Sequence, residues 1–175
     1  MNDPSHSVFS EEFSRLSADL LDQSIIKINH CLGQITYEQV WWRPHPSMNS
    51  IGNLLIHLAG NLNQWGVIPF TLADDRRDRE SEFHPGLRRE VNEVVQELES
   101  LVKDAKDQWR YLSASQLNKE IYIQGFNVSP MQAIIHASSH FVGHTHQLIQ
   151  LTRLQLDKEY KFHWTPDEPR GELPI

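Results

Sequence analysis

The sequence predicts an all-α protein, a four-helix bundle with long connections and an extended C-terminal tail. Three observations carry the prediction. Four segments repeat apolar residues every three or four positions, the period of a helix with one buried face. No set of segments shows the period of two that strands require. The chain of 175 residues is the size of one domain, 1–175, and a domain of that size buries roughly two-thirds of its unfolded surface without disulfides.

The first helix is predicted over about residues 9–35. Phe9, Phe13, Leu16, Leu20, Leu21, Ile25, Ile28, Leu32 and Ile35 form its stripe, and Ser10 followed by Glu11 and Glu12 reads as its start. Acidic side chains favour the positive end of a helix dipole. The linker TYEQVWWRPHPSMN follows, and Pro44 and Pro46 forbid a regular helix through it. The second helix spans about 50–68, capped by Asn49 or Ser50 and ended by Pro69. TLADDRRDRESEFHPG is then a charged connection without an apolar period. The third helix, about 87–112, buries Leu87, Val91, Val94, Leu98, Leu101, Ala105, Trp109 and Leu112. In the next connection, IYIQGFNVS pairs briefly as extended chain around Gly125. The fourth helix, about 130–156, has the clearest start: a capping Ser129, Pro130 at the first helical position and Gln132 at the capping-box position. The tail, 157–175, carries three prolines and is expected to lie extended over the helices. Both middle connections are long, so tight-turned up-down-up-down topology is not required.

Sixteen Lys and Arg against 23 Asp and Glu give a formal charge of −7, the wrong sign for a general binder of phosphate backbones. No apolar run reaches the ~20 residues that span a bilayer. MNDPSHSVFSEEF has neither a basic region nor an apolar one, so no signal peptide is read. One cysteine, Cys31, excludes an internal disulfide and fits a reducing compartment, the cytoplasm. It sits beside the stripe of the first helix and reads as a small buried hydrophobe.

Ten histidines point toward metal. Residues four apart on a helix share a face, so His140 and His144 can present two imidazoles to one ion. His136 and His144 are eight apart, about 12 Å along the axis, too far for one ion. Ala137, Phe141, Leu148 and Leu151 lie on the side toward His144, whereas His136 turns toward Ser139, Gly143 and Gln150 and reads as solvent-facing. His146, two residues past His144, faces the opposite way. A third ligand is expected from another helix. His57 is the best-placed candidate, mid-helix at the edge of an arc with Leu54, Leu58 and Trp65. Three neutral imidazoles leave a coordination position open, the pattern of catalytic zinc-type sites. Asn61, one turn after His57, is positioned to orient a water or substrate. His6, His45, His84 and His163 read as solvated loop or tail residues.

WWRP with NSIGNLLIHLAGNLNQW, then RRDRESEF, then HASSHFVGHTHQLIQLTR, resembles the DinB/YfiT-like superfamily of four-helix metal-binding proteins over about Trp41 to Arg153. The closest subgroup carries NSI…HLaGN on helix two and H-x-x-x-H-x-G-Q on helix four. The resemblance implies a divalent metal, zinc or nickel, held by one histidine of helix two and two of helix four: His57, His140 and His144. It also implies a homodimer. Characterised members are thiol-dependent transferases and isomerases using glutathione, mycothiol or bacillithiol, so a low-molecular-weight thiol cosubstrate and a small-molecule substrate are expected. One departure is His146, where relatives carry Gly.

Other chemistries are poorly served. There is no Glu-x-x-His, which ferritin-like di-iron sites need, and no HExxH, CxxC, GxSxG or P-loop. Arg76, Arg77 and Arg79 amid Asp74, Asp75, Asp78, Glu80 and Glu82 read as a solvated mixed-charge loop. The alternative for that run is one arginine reaching the cleft to grip a carboxylate. Trp41, Trp42 and Arg43 read as linker packed on the bundle. The leading functional expectation is a thiol-dependent metalloenzyme. The alternative is a non-catalytic metal-binding or interaction protein.

Overall fold

A computed structural model describes the backbone of residues 4–164, with side chains from residue 8 onward. The chain is mostly helical. Four long helices carry the core: α1 (Pro4–Leu32), α3 (Ile51–Leu62), α4 (Val91–Trp109) and α6 (Pro130–Leu156). Two single-turn helices, α2 (Tyr37–Val40) and α5 (Ala114–Leu117), sit in the connections, and β1 (Ile121–Ile123) pairs antiparallel with β2 (Phe126–Val128). The hairpin turns at Gln124 and Gly125, both with positive φ (50° and 90°), as a two-residue turn matching strand twist demands. Glycine meets that backbone requirement at Gly125 without steric cost.

Local signals place the helix starts. Ser50 and Ser129 each accept from the backbone N–H three residues on, while Asn53 and Gln132 reach back, so both are full capping boxes. The same device starts α2 at Thr36 and Gln39, and α5 at Ser113 and Gln116. The first helix begins at Pro4, not at Ser10: proline is well suited to a first turn, and Ser10 lies buried within the helix. His6, expected in a tail, is on this helix, and its side chain lies outside the described ones. The helix expected over 50–68 is regular only to Leu62 and then widens into a π turn, Asn63–Val67. Pro69 has no N–H for the Trp65 carbonyl, and its ring would strike that carbonyl in a regular helix. Leu87 packs on the core from the connection, so α4 starts a turn later than the apolar spacing suggested.

Side-chain contacts fix the helix directions. His57 meets His140 and Asn61 meets His136, so α3 and α6 are antiparallel. Lys106 pairs with Asp22, and Asn29 donates to Glu99 (2.9 Å), so α1 and α4 are antiparallel. Ser138 donates to the Ser17 carbonyl (3.3 Å) and Cys31 lies beside Tyr160, just past the end of α6 (3.9 Å), so α1 and α6 run parallel. Hence α3 and α4 are parallel as well, and the long connection between them returns the chain along their length. The innermost row of α1 is Ser10, Ser14, Ser17, Leu21, Ser24, Ile28 and Cys31, while Phe9 is exposed. Small side chains let α1 approach the Ala133–Ala137–Ser138 face of α6 closely, which large residues at those positions would prevent. Ser24 and Thr145 return their hydroxyls to their own helix backbone, at Leu20 and Phe141.

Trp109 is fully buried and donates its indole N–H to the Gly66 carbonyl (2.8 Å), tying α4 to the end of α3. Trp41 packs on Gly52, and Arg43 donates to Asn53 (2.7 Å), so this linker does pack against α3, though Trp42 remains exposed. Cys31 is buried, and burial pushes its thiol pKa up. The described part of the tail folds onto α1, where His30 and Gln34 bind the Lys161 carbonyl. Residues 165–175 of the tail lie outside the described residues. Among the described residues no helix is long and apolar enough to cross a membrane.

Two glycine substitutions should act in opposite directions. A Cβ at Gly52 would overlap the Trp41 ring, 2.7 Å from Cη2, so Gly52→Ala is expected to destabilise by about 1–3 kcal/mol. Nothing lies within 4 Å of a Cβ at Gly143, so Gly143→Ala should gain about 0.5–1 kcal/mol of helix propensity. Urea unfolding of the two variants against the parent chain measures both signs.

Candidate metal centre

His57 projects from the middle of α3, and His140 and His144 from successive turns of α6. Their Nε2 atoms converge: His57 to His140 is 3.1 Å and His144 to His140 is 3.2 Å. One ligand atom from each lies within 4.8 Å of the others, so the three could hold a metal ion. Tetrahedral ligands at ordinary zinc–nitrogen lengths stand about 3.3 Å apart, which these spacings approach. The pair on α6 is the one the four-residue spacing selects, and His57 does reach it across the helices. His146 is exposed on the far face, as the spacing requires. His45, His84 and His163 are exposed outside the long helices.

Partners assign the tautomer at two of the three rings: at His57 Nδ1 the Glu82 carboxylate, which can only accept, is closer than the competing donor Arg77 Nη2 at 3.1 Å. The His57 Nδ1–H donates to the Glu82 carboxylate at 2.7 Å, and the His144 Nδ1–H donates to the Gln147 carbonyl oxygen at 2.7 Å. Both Nε2 atoms are therefore lone pairs aimed at one point. A single proton on His140 Nε2 satisfies only one of them; a cation satisfies all three. Burial, then the neighbouring His144, His57, His136 and Arg77, push His140 down to about 3, so it is neutral near pH 7. Burial also lowers His144, against the hydrogen bond to Gln147. Neutral imidazole is the form that binds metal. His57 is 4% exposed, whereas His140 and His144 are partly exposed, so the cluster sits at the solvent edge of the helices.

Glu82 is the residue that sequence reasoning missed. It is 4% exposed. Arg77 grips its carboxylate with two donors, Nε to Oε1 at 2.6 Å and Nη2 to Oε2 at 2.9 Å. Burial raises the Glu82 pKa, but the hydrogen bonds from His57 and Arg77 outweigh it and leave it below the ordinary value, so the group is a carboxylate. Arg77 Nη1 donates to Gln64 (2.9 Å), and Gln64 donates to Asp75 (2.6 Å). Asn53 donates to the Glu82 carbonyl (2.9 Å). A Cβ at Gly60 would collide with Glu82 Oε1 and lie 2.8 Å from Arg77 Nε, so glycine there lets the ion pair lie against α3. One arginine of the charged run does grip a carboxylate, and that carboxylate belongs to its own chain. The charged run carries no local sign of which of its acids turns inward.

His136 corrects an expectation. It is half-buried rather than solvent-facing, with its ring 4.1 Å from Trp65 and its Nε2 3.5 Å from Asn61 Nδ2. Trp65 lies in the π turn at 63–67. Asn61 is buried, next to His136 rather than directly against the three converging nitrogens. Burial first, and then Arg77, lower the His136 pKa.

Fold and site define a mostly helical protein with a three-histidine cluster compatible with a metal ion. The chain belongs to the family described as "Protein of unknown function (DUF1572)", whose model matches residues 9–168. No curated protein and no solved structure gives a significant match.

Arg77→Met would leave the Glu82 charge buried without its cation. The Arg77 and Glu82 side chains are 7% and 6% exposed, and breaking such a pair costs about 3–5 kcal/mol. Arg76→Met, at a side chain that is 87% exposed, should change stability by less than about 1 kcal/mol. Chemical denaturation of both variants tests the contrast, and equal losses would contradict this account of Glu82.

Proposed function

We propose that this chain is a DinB-like four-helix-bundle metalloenzyme in which His57, His140 and His144 hold one divalent ion, zinc or nickel. The observation that supports it most directly is the convergence of three Nε2 atoms, two with their lone pairs fixed toward the same point by Glu82 and Gln147. Three neutral nitrogen donors leave at least one position for an external ligand, the arrangement of catalytic rather than structural sites. A bound divalent ion would supply a Lewis acid that lowers the pKa of a thiol or water at neutral pH.

The chain's own residues supply the rest. Partial exposure of His140 and His144 admits a small molecule from the solvent side. Phe83, 4.7 Å from the His57 ring, shields the buried donor. Asn61 and the tilted Trp65–His136 ring pair flank the cluster, and Asn61 is proposed to orient a polar group of the substrate. The sequence resemblance favours a low-molecular-weight thiol as cosubstrate in a transferase or isomerase reaction. In such a transfer the thiol gives up its proton, its sulfur bonds to an electrophilic carbon, and the leaving group departs with its electron pair. The same resemblance favours a homodimer, for which light scattering should return twice the chain mass, and the single Cys31 favours a reducing compartment, the cytoplasm.

Elemental analysis of protein purified without a His tag should find one zinc or nickel per chain. His144→Ala should lose the ion while circular dichroism keeps its helical signal, because the core is apolar and independent of the cluster. Metal-loaded protein is then assayed with a panel of low-molecular-weight thiols and electrophiles. Retained metal with no turnover for any pair would replace the enzyme reading with that of a metal-binding protein.

A further inference from the structure

The two donors on α6 and the donor on α3 are not held in the same way. His144 is oriented from its own helix, by Gln147 in the next turn. His57 is oriented from outside its helix, by the connection that leads to α4. Glu82 holds its Nδ1, and Phe83 lies against its ring at 4.7 Å. That stretch in turn hangs from α3 and the preceding linker: Asp75 and Arg77 from Gln64, the Glu82 carbonyl from Asn53, and the Phe83 carbonyl from Arg43 at 3.2 Å. Elsewhere the stretch is open. Residues 71–76 and 78–81 are exposed, and its only regular element is the turn Ser81–Phe83. Segments with few buried contacts open at low free energy.

We propose that the connection between α3 and α4 is a metal-responsive latch, in which Glu82 positions His57 for the ion and bound metal holds residues 75–83 against α3. The proposal rests on the reading that His57, His140 and His144 hold a divalent ion. Glu82 is a positioning residue, since it acts through the His57 ring. A carboxylate behind a ligating imidazole fixes its tautomer and orientation and raises its basicity, and losing such a partner typically weakens metal binding 10- to 100-fold. Linkage makes the effect reciprocal. If docking of Glu82 tightens metal binding by some factor, metal raises the docking constant of the connection by that same factor.

The test uses the full chain and zinc ion. Zinc affinity is read by competition with a chromophoric chelator, and docking by hydrogen exchange of amides 75–83 with and without zinc. In the parent chain, zinc should bind with dependence on His57, His140 and His144 and should slow exchange in 75–83. Glu82→Gln keeps the shape but turns an amide N–H toward Arg77. It should lower zinc affinity 10- to 100-fold and abolish the zinc-dependent slowing, with metal-free exchange in α1 and α6 unchanged. Gln64→Ala cuts the anchor without touching His57 or Glu82 and should weaken zinc several-fold in the same direction. This second variant keeps the test decisive if Glu82→Gln fails to fold. Arg76→Gln, in the exposed part of the stretch, should leave affinity as it was. Zinc binding that needs the three histidines but is equally tight in Glu82→Gln and Gln64→Ala, or exchange that ignores zinc, overturns the latch and leaves the metal reading standing. Absence of zinc binding in the parent chain overturns both.

Discussion

The arrangement around the three imidazoles depends on one buried carboxylate. Removing an ion from water costs several kcal/mol even after the protein relaxes. Glu82 recovers that cost only because Arg77 meets both of its oxygens and the His57 N–H meets one. Each partner then constrains something else. Arg77 must lie flat against α3, so position 60 has no room for a side chain. His57 must carry its proton on Nδ1, so its Nε2 faces His140 as an acceptor. A single ion pair thus sets the sequence of a helix turn, the path of a loop and the tautomer of a ring.

Topology explains why a loop carries this residue at all. Parallel α3 and α4 cannot be joined by a tight turn. A 12-residue helix is about 18 Å long, and the chain must travel back over that length before α4 begins. The returning stretch crosses the open side of α3, where His57 and Asn53 can be reached. An antiparallel pair with a short turn would have left His57 without an external partner. Small residues on α1 complete the scheme from the other side, since the close α1–α6 approach frees the opposite face of α6 to present His140 and His144 to α3.

Much of this was legible in the sequence, for identifiable reasons. The His140–His144 spacing and the Ser129–Pro130–Gln132 start each follow from helix geometry over a few residues, and both stand in the structure. The capping boxes at Thr36–Gln39 and Ser113–Gln116 follow the same pattern and were equally readable, but the helices they start are four residues long and carry no apolar period. Ser10 looked like a start because serine favours caps; it is instead one of four buried serines among the described side chains of α1, where size matters more than polarity. Glu82 was hidden because a charged run gives no sign of which member turns inward. That choice is made by Gly60, 22 positions earlier, through a steric vacancy that no local window contains. His136 was misjudged because its partner Trp65 comes from the segment after α3, which the spacing on α6 alone does not reveal.

The three rings also differ in how firmly the fold holds them, and this orders their roles. His57 is gripped by an ionised carboxylate, and hydrogen bonds to charged groups are roughly twice as strong as neutral ones. His144 is held by a neutral amide at the protein surface. His140 has a buried Nδ1 with no partner, so packing and the neighbouring imidazoles of His57, His144 and His136 define its ring. An unsatisfied buried nitrogen costs roughly 1–3 kcal/mol, and the helix tolerates it at the position between the other two donors. By hydrogen bonding, His57 is therefore the most firmly held of the three rings, His144 the next, and His140 the least. The His57 side of the cluster is thus fixed by a charged partner, and the α6 side by packing and one neutral hydrogen bond.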